Sequence, residues 1–171
     1  MGLLEALDYT VKPANVLQRA MQRLASSRPG AWVFQRTVHP VDKLSFRMSR
    51  GRHTATSVLA GVPVILLTTT GARSGTARTM PLLGVPFHGQ MAVVGSNYGQ
   101  KATPGWVHNL EADPTATVSY RGRSVEVTAR RASDDEADEV FGLGAAIYPG
   151  FPKYRERVSR EIRVFVLEPS P

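Results

Sequence analysis

Apolar and polar positions alternate with a period of two along several short stretches from residue 62 onward, and that alternation predicts β-strands at Val62–Thr70, Arg78–Phe87, Met91–Ser96, Ala116–Tyr120, Ser124–Arg130 and Arg163–Leu167. In the clearest of these, Val125, Val127 and Ala129 alternate with Ser124, Glu126, Thr128 and Arg130, the pattern of a strand with one buried face. Two helical stretches interrupt the strands. Thr103-Pro104 reads as a cap with proline at the first helical position, leading into Trp106–Ala112 and stopped by Asp113-Pro114. Ser133 with Glu136 three residues later reads as a capping box opening a helix through about Leu143, with its acids at the favourable end. A third helical stripe, Val16, Leu17, Ala20, Met21 and Leu24, lies near the N-terminus with Gln18, Arg19, Gln22 and Arg23 on another face. The order is that of a small α+β barrel with an N-terminal helix and helices between strands.

Composition changes this picture little and charge changes it more. With 171 residues, 42% hydrophobic and 20% charged, the chain suits a core of ordinary size, divided here into a basic helical segment over residues 1–55 and a barrel over 56–171. The absence of cysteine excludes a thiolate metal site, and His39, His53, His88 and His108 lack ligand spacing, so no metal is expected. Residues 1–53 hold nine basic and three acidic side chains, a net of +6 out of the chain's +7. A basic amphipathic helix either packs its stripe on the core or lies on an anionic membrane surface; no nucleic-acid motif accompanies the charge. The run Val58–Leu67, broken by Gly61 and Pro63, is too short to span a bilayer, and the opening residues lack a secretory signal. A cytoplasmic protein is expected, with peripheral membrane contact as an option and monomer or homodimer undecided.

Candidate chemistry concentrates in Leu66–Leu82, where Arg73 and Arg78 lie on a Gly-bounded turn between two apolar segments that read as strands. Guanidinium groups beside backbone N–H and hydroxyl donors suit an anionic, phosphate-bearing ligand. A nucleotide P-loop is excluded, because Gly-Lys-Ser/Thr does not open a helix here. A plain hairpin with solvent-facing arginines stays open on these residues alone.

The order Leu-Leu-Thr-Thr-Thr-Gly-x-Arg-Ser-Gly-x-x-Arg-x-x-Pro-Leu, then Val93-Val94-Gly95-Ser96-Asn97-Tyr98-Gly99, then Pro104 to Pro114, resembles the deazaflavin-dependent nitroreductase family over about residues 62–169. The resemblance implies a split β-barrel of the flavin-reductase type and coenzyme F420, an 8-hydroxy-5-deazaflavin with a phospholactyl oligoglutamate tail. It implies cofactor contacts at Ala72, Arg73, Ser74, Arg78, Thr79 and Met80, at Val94, Gly95, Ser96 and Asn97, and at Gly105, Trp106, Val107, His108 and Asn109; the basic loop also offers Lys101. Alone, Trp106 reads as core; the flanking motif places it beside the cofactor. Tyr148, Phe151 and Tyr154 match a lid over the substrate side, with Ser96, Tyr148 and Tyr154 as the candidates to orient or protonate the acceptor. Asn97 and Phe151 stand where nitroimidazole-reducing members carry lysine and tyrosine.

The implied activity is hydride transfer from the reduced deazaflavin to a small electrophilic acceptor such as a quinone, nitroaromatic or activated enone. That chemistry asks chiefly for positioning, which suits a sequence with neither catalytic triad nor metal site. A non-catalytic deazaflavin carrier and a flavin mononucleotide reductase of the same fold are the alternatives.

Overall fold

A computed structural model describes residues 2–11, 15, 16, 18–20 and 61–171. The helical stripe through Leu17, Met21 and Leu24 therefore lies largely outside the described residues, as does nearly all of the basic excess on which the membrane reading rests. No helix among the described residues is long and apolar enough to cross a membrane.

Seven antiparallel strands form one sheet: β1 (Val64–Thr70), β2 (Ala77–Leu83), β3 (Val85–Phe87), β4 (Gln90–Val94), β5 (Thr115–Tyr120), β6 (Arg123–Arg131) and β7 (Val164–Pro169), in the spatial order β2-β1-β5-β6-β7-β4-β3. The two outer strands, β2 and β3, are successive in sequence, so the sheet curls until both of its edges belong to one stretch of chain. That stretch reads as a single strand over Arg78–Phe87; it breaks at Gly84. A Cβ there would lie 2.8 Å from Met91 Sδ and 3.2 Å from Ile65 Cγ2, so only glycine lets the backbone turn inward from its partner β1 to its partner β4.

Alternation sorts the side chains as expected. Ile65, Leu67 and Thr69 of β1 face inward, as do Val118 of β5 and Val127 and Ala129 of β6. β4 and β7 are buried on both faces. Their Met91, Val93, Phe165 and Leu167 fill the barrel, while Ala92, Val94, Val164 and Val166 meet a second cluster under the outer helices.

The helices differ from the sequence expectation in three ways. Helix α1 (Leu3–Ala6) was not anticipated, yet it carries fully buried Leu3 into the barrel, followed by Leu7 and Tyr9. Helix α2 (Gly105–Ala112) starts one residue late, with Pro104 as its extended N-cap and no side-chain cap from Thr103. Helix α3 (Asp134–Ile147) has the expected capping box but runs four residues past Leu143, and α4 (Phe151–Glu156), with Pro152 in its first turn, follows after a short bend. The extension and α4 exist together, because Phe151 seats its ring on Gly144 and against Phe141, with ring centroids 5.8 Å apart.

The antiparallel register gives the barrel two distinct ends. Thr70, Ala77, Val94, Thr115 and Val164 lie at one; Val64, Leu83, Gln90, Tyr120 and Arg123 lie at the other. Residues 3–9 close the second end, where Leu4 N donates to Gly89 O at 3.3 Å, Leu3 N to Gln90 Oε1 at 3.1 Å, and Tyr9 packs on Tyr120 with centroids 4.7 Å apart.

Candidate functional site

The first end is polar and built from three loops. The loop between β1 and β2 turns at Gly71, whose N–H donates to Thr76 O at 2.9 Å while Gly75 N–H donates back to Gly71 O at 2.7 Å. Ser74 and Thr76 hydroxyls sit 2.8 Å apart. Helix α2 fixes the loop from below: Asn109 Oδ1 accepts from Ala72 N–H at 2.9 Å, and Asn109 Nδ2 donates to the hydroxyl of buried Thr69 at 3.0 Å. One amide thus satisfies a polar group on the core face and locks the turn, as buried polar groups require. Arg73 is exposed on this turn, and the stem of Arg78 passes beside Gly71. Among the described residues neither guanidinium has a carboxylate partner or a hydrogen bond. Lys101, in the next loop, is also exposed.

The second loop follows β4. Gly95 N–H donates to Arg163 O at 2.9 Å, and a Cβ on Gly95 would lie 2.8 Å from Val107 Cγ2 and 3.1 Å from Arg163 O, so a side chain there would push α2 away from the strand end. Ser96, only 9% exposed, lies two residues past the end of β4 and opens a short turn of 3-10 type. Asn97, Tyr98 and Gly99 then take three consecutive left-handed conformations, with φ of +47°, +55° and +77°. Strain at two non-glycine residues persists only where the surroundings impose it. Here Asn97 Nδ2 donates to Ala102 O at 2.9 Å, and Arg160 donates to Gly95 O, Ser96 O and Gln100 O at 3.1, 3.1 and 3.3 Å. Burial, with Arg163 nearby, holds Arg160 below the usual arginine range. Arg163 Nε approaches Glu111 Oε1 to 2.8 Å as an ion pair, at an angle that does not make a hydrogen bond.

The third part is the aromatic bend between α3 and α4. Tyr154 donates to the Tyr148 hydroxyl at 3.2 Å, their rings stack with centroids 6.1 Å apart, and Tyr98 meets Tyr154 edge-on at 6.2 Å. Burial pushes both phenols up, Tyr154 the more strongly, so both are neutral at physiological pH.

Geometry divides the expected site residues. Ala72, Arg73, Ser74 and Arg78 share one turn, with Asn109 tied to it directly; Val94–Asn97 form the neighbouring strand end, and Tyr98 links it to the tyrosine pair. Thr79 faces Thr68 across the β1–β2 pair with hydroxyls 2.8 Å apart, and Met80, half-buried, packs on the core. Gly105 is exposed, with open space where a Cβ would stand. His108 points outward beside Glu111, its Nδ1 3.5 Å from Oε2. Three of the expected site residues turn their side chains into the core. The Trp106 indole is 4% exposed against Phe165, and Val107 is fully buried, so both are core residues by their side chains. Phe151 is buried between Phe141 and Tyr154 and backs the tyrosine rather than offering its own ring.

Sequence reading missed Arg160, Thr69 and Tyr9. Thr69 alone left a signal, as a hydroxyl in the inward series Ile65, Leu67, Thr69. Arg160 and Tyr9 act through backbone carbonyls more than 50 residues away, which no local pattern encodes.

A curled seven-stranded antiparallel sheet with helices and an anion-receptive end defines a split-barrel protein of the kind that binds a flavin-like cofactor. Residues 42–169 match the F420H(2)-dependent quinone reductase family, and the chain belongs to it. It is 31% identical over 110 residues to the F420H(2)-dependent quinone reductase Rv1261c of Mycobacterium tuberculosis (strain ATCC 25618 / H37Rv), covering 61% of this chain and 72% of that protein. The solved F420-H2 dependent reductase FDR-A is 36% identical, with a TM-score of 0.57 over 62% of this chain and 94% of that one. A chain solved as a domain-swapped dimer is 31% identical, with a TM-score of 0.59 over 82% of this chain and 99% of that one. Family membership makes this chain an oxidoreductase whose hydride donor is reduced coenzyme F420 and whose acceptor class is the quinones.

Proposed function

We propose that the polar end of the barrel is where this reductase binds reduced coenzyme F420 and a quinone, with Arg73 and Arg78 taking the anionic tail. The observation that carries this reading is the pair of exposed guanidiniums without carboxylate partners, on a turn that Asn109 holds rigid. Such cations are free to meet phosphate and carboxylate groups, and a pre-formed turn loses little entropy in doing so. The donor set fits a polyanion: two guanidiniums, the Ser74 and Thr76 hydroxyls, and Lys101 across the gap.

When bound, the reduced deazaflavin supplies a hydride. The chain's own residues bind, orient and hold a proton. Backbone at Val94–Asn97, fixed by Arg160 and by the contact of Gly95 with Val107, gives the ring a stiff edge to rest on. The Tyr148 hydroxyl accepts from Tyr154, which leaves its own hydrogen to be donated to a quinone oxygen, and the raised titration of both phenols keeps that hydrogen in place at neutral pH. Ser96 is the second hydroxyl in this role. Phe151, buried against Phe141 and Tyr154, supports the tyrosine pair from behind.

Fluorescence titration of the purified protein with coenzyme F420 and with flavin mononucleotide tests the reading. Clear preference for the deazaflavin, with turnover of its reduced form on adding menadione, is the expected result. Equal or tighter binding of flavin mononucleotide would overturn the cofactor assignment, and tight deazaflavin binding without turnover would make the protein a carrier.

A further inference from the structure

Arg160 stands apart from its neighbouring arginines in the partners it holds. It forms four hydrogen bonds, all to carbonyl oxygens: Nη1 to Gly95 O at 3.1 Å and Glu161 O at 3.3 Å, Nη2 to Ser96 O at 3.1 Å, and Nε to Gln100 O at 3.3 Å. No carboxylate pairs with it among the described residues. Its neighbours at the same corner are paired with acids, Arg131 with Glu161 and Arg155 with Asp138. Gly95, Ser96 and Gln100 bracket the three left-handed residues of the loop, so one planar group grips both sides of the strained turn. The turn has its own closing bonds, Gly99 N–H to Ser96 O at 2.9 Å and Gln100 N–H to Asn97 O at 3.0 Å. Those bonds close the turn on itself, and the guanidinium ties both of its sides to the segment that leads into β7.

We propose that Arg160 is a positioning residue for hydride transfer, a clamp that fixes the Ser96 backbone and hydroxyl by holding the Gly95, Ser96 and Gln100 carbonyls with a single guanidinium. Lysine is a poor substitute, because a compact ammonium cannot match carbonyls spread over the fork of the guanidinium. The clamp also borders a polar cavity of about 540 Å³ at this corner of the fold, lined in part by Arg131, Asp138, Arg155, Arg160, Glu161 and Arg163. A truncated side chain at position 160 therefore leaves a hole that a small solute can reach.

The inference rests on the placement of the cofactor at this end of the barrel, and the experiment keeps the two separable. Amide hydrogen exchange is measured on the apo protein for wild type, Arg160→Lys and Arg160→Ala, with Val118 and Val127 in the sheet as internal controls of global stability. Coenzyme F420 affinity, kcat and KM for menadione are then measured with and without millimolar methylguanidinium. Expected is faster exchange at Gly99 and Gln100 in both variants with unchanged exchange at the controls, a fall in kcat of about 10- to 100-fold with little change in KM, and partial recovery of kcat in Arg160→Ala on adding methylguanidinium but none in Arg160→Lys. Unchanged exchange at Gly99 and Gln100 would overturn the clamp whatever the enzyme does. Loosened exchange with unaltered kcat would overturn its role in catalysis. Failure of wild-type protein to bind coenzyme F420 would instead remove the cofactor reading and leave the apo exchange result standing.

Discussion

The two ends of the barrel solve opposite problems with the same sheet. At one end residues 3–9 fold back as a plug: Leu3 and Leu7 are buried, and the Tyr9 hydroxyl, whose titration burial pushes far up, donates to Gly84 O and Pro63 O. Every polar group named there has a partner. At the other end Arg73 and Arg78 lack one among the described residues, Asn97 and Tyr98 hold positive φ side by side, and Ser96 is buried just past the strand. The plugged end is what stability alone produces. Positive φ at a non-glycine residue is not peculiar to the open end, since Asp8, His88 and Arg121 hold it at the plugged one; what sets the open end apart is a turn that Asn109 ties to α2, with Arg73 on it and Arg78 beside it.

Substitutions on either side should therefore separate stability from binding. The largest effect is expected for Leu7→Ala, which empties a fully buried site and should cost about 2–5 kcal/mol in denaturant unfolding, while coenzyme F420 affinity of the folded protein stays at the wild-type value. A loss of affinity would show that the plug reaches the open end. Arg78→Ala should do the reverse, removing a charge-assisted contact worth about 1.5–3 kcal/mol and weakening coenzyme F420 by about 10- to 150-fold with the unfolding midpoint unmoved. An unchanged dissociation constant at low salt would show the arginine facing water. Tyr9→Phe should lower stability by about 1 kcal/mol through the lost carbonyl contacts, again with binding unaltered.

The smallest effect belongs to neither end and calibrates the others. Hydrogen bonds from Arg130 and from the Ser133 N–H hold the exposed Glu136 carboxyl down at about 2. A depressed carboxylate adds stability above its unfolded value and loses it as pH falls, so wild type should lose stability between about pH 4.5 and 2. The Glu136→Gln variant should show a shallower fall over that window in thermal melts, with ligand affinity untouched. An identical pH profile would mean that the capping box carries no net charge effect.

Much of this architecture was legible in the sequence because its causes are local. The strand pattern located the sheet segments to within a residue or two, with β2 and β3 read as one, and Ser133 with Glu136 announced α3 through bonds spanning three residues. What escaped has causes distant along the chain. The break at Gly84 is dictated by Met91, Ile65 and Tyr9 crowding one backbone position, and the plug by contacts more than 50 residues away. Within the candidate site, the arginine turn was legible from Gly71, Arg73, Gly75 and Arg78. Trp106 and Phe151 were not, because an aromatic in a ligand-bearing motif and an aromatic in the core beneath it have the same letter. Only burial against Phe165 and Phe141 tells them apart.

The strand order has a consequence for how the molecule comes into being. β7 lies between β6 and β4 and joins, by strand pairing, the four-stranded half β2-β1-β5-β6 to the pair β4-β3. During synthesis those two halves emerge long before residues 164–169 do, each with one edge unpaired and one face bare, in need of a strand not yet made. Arg160 and Arg163, which bond Gly95 and Ser96, immediately precede β7. A chain that stops before Val164 thus carries the residues of its other six strands and both arginines, yet leaves β6 and β4 without the strand that joins them.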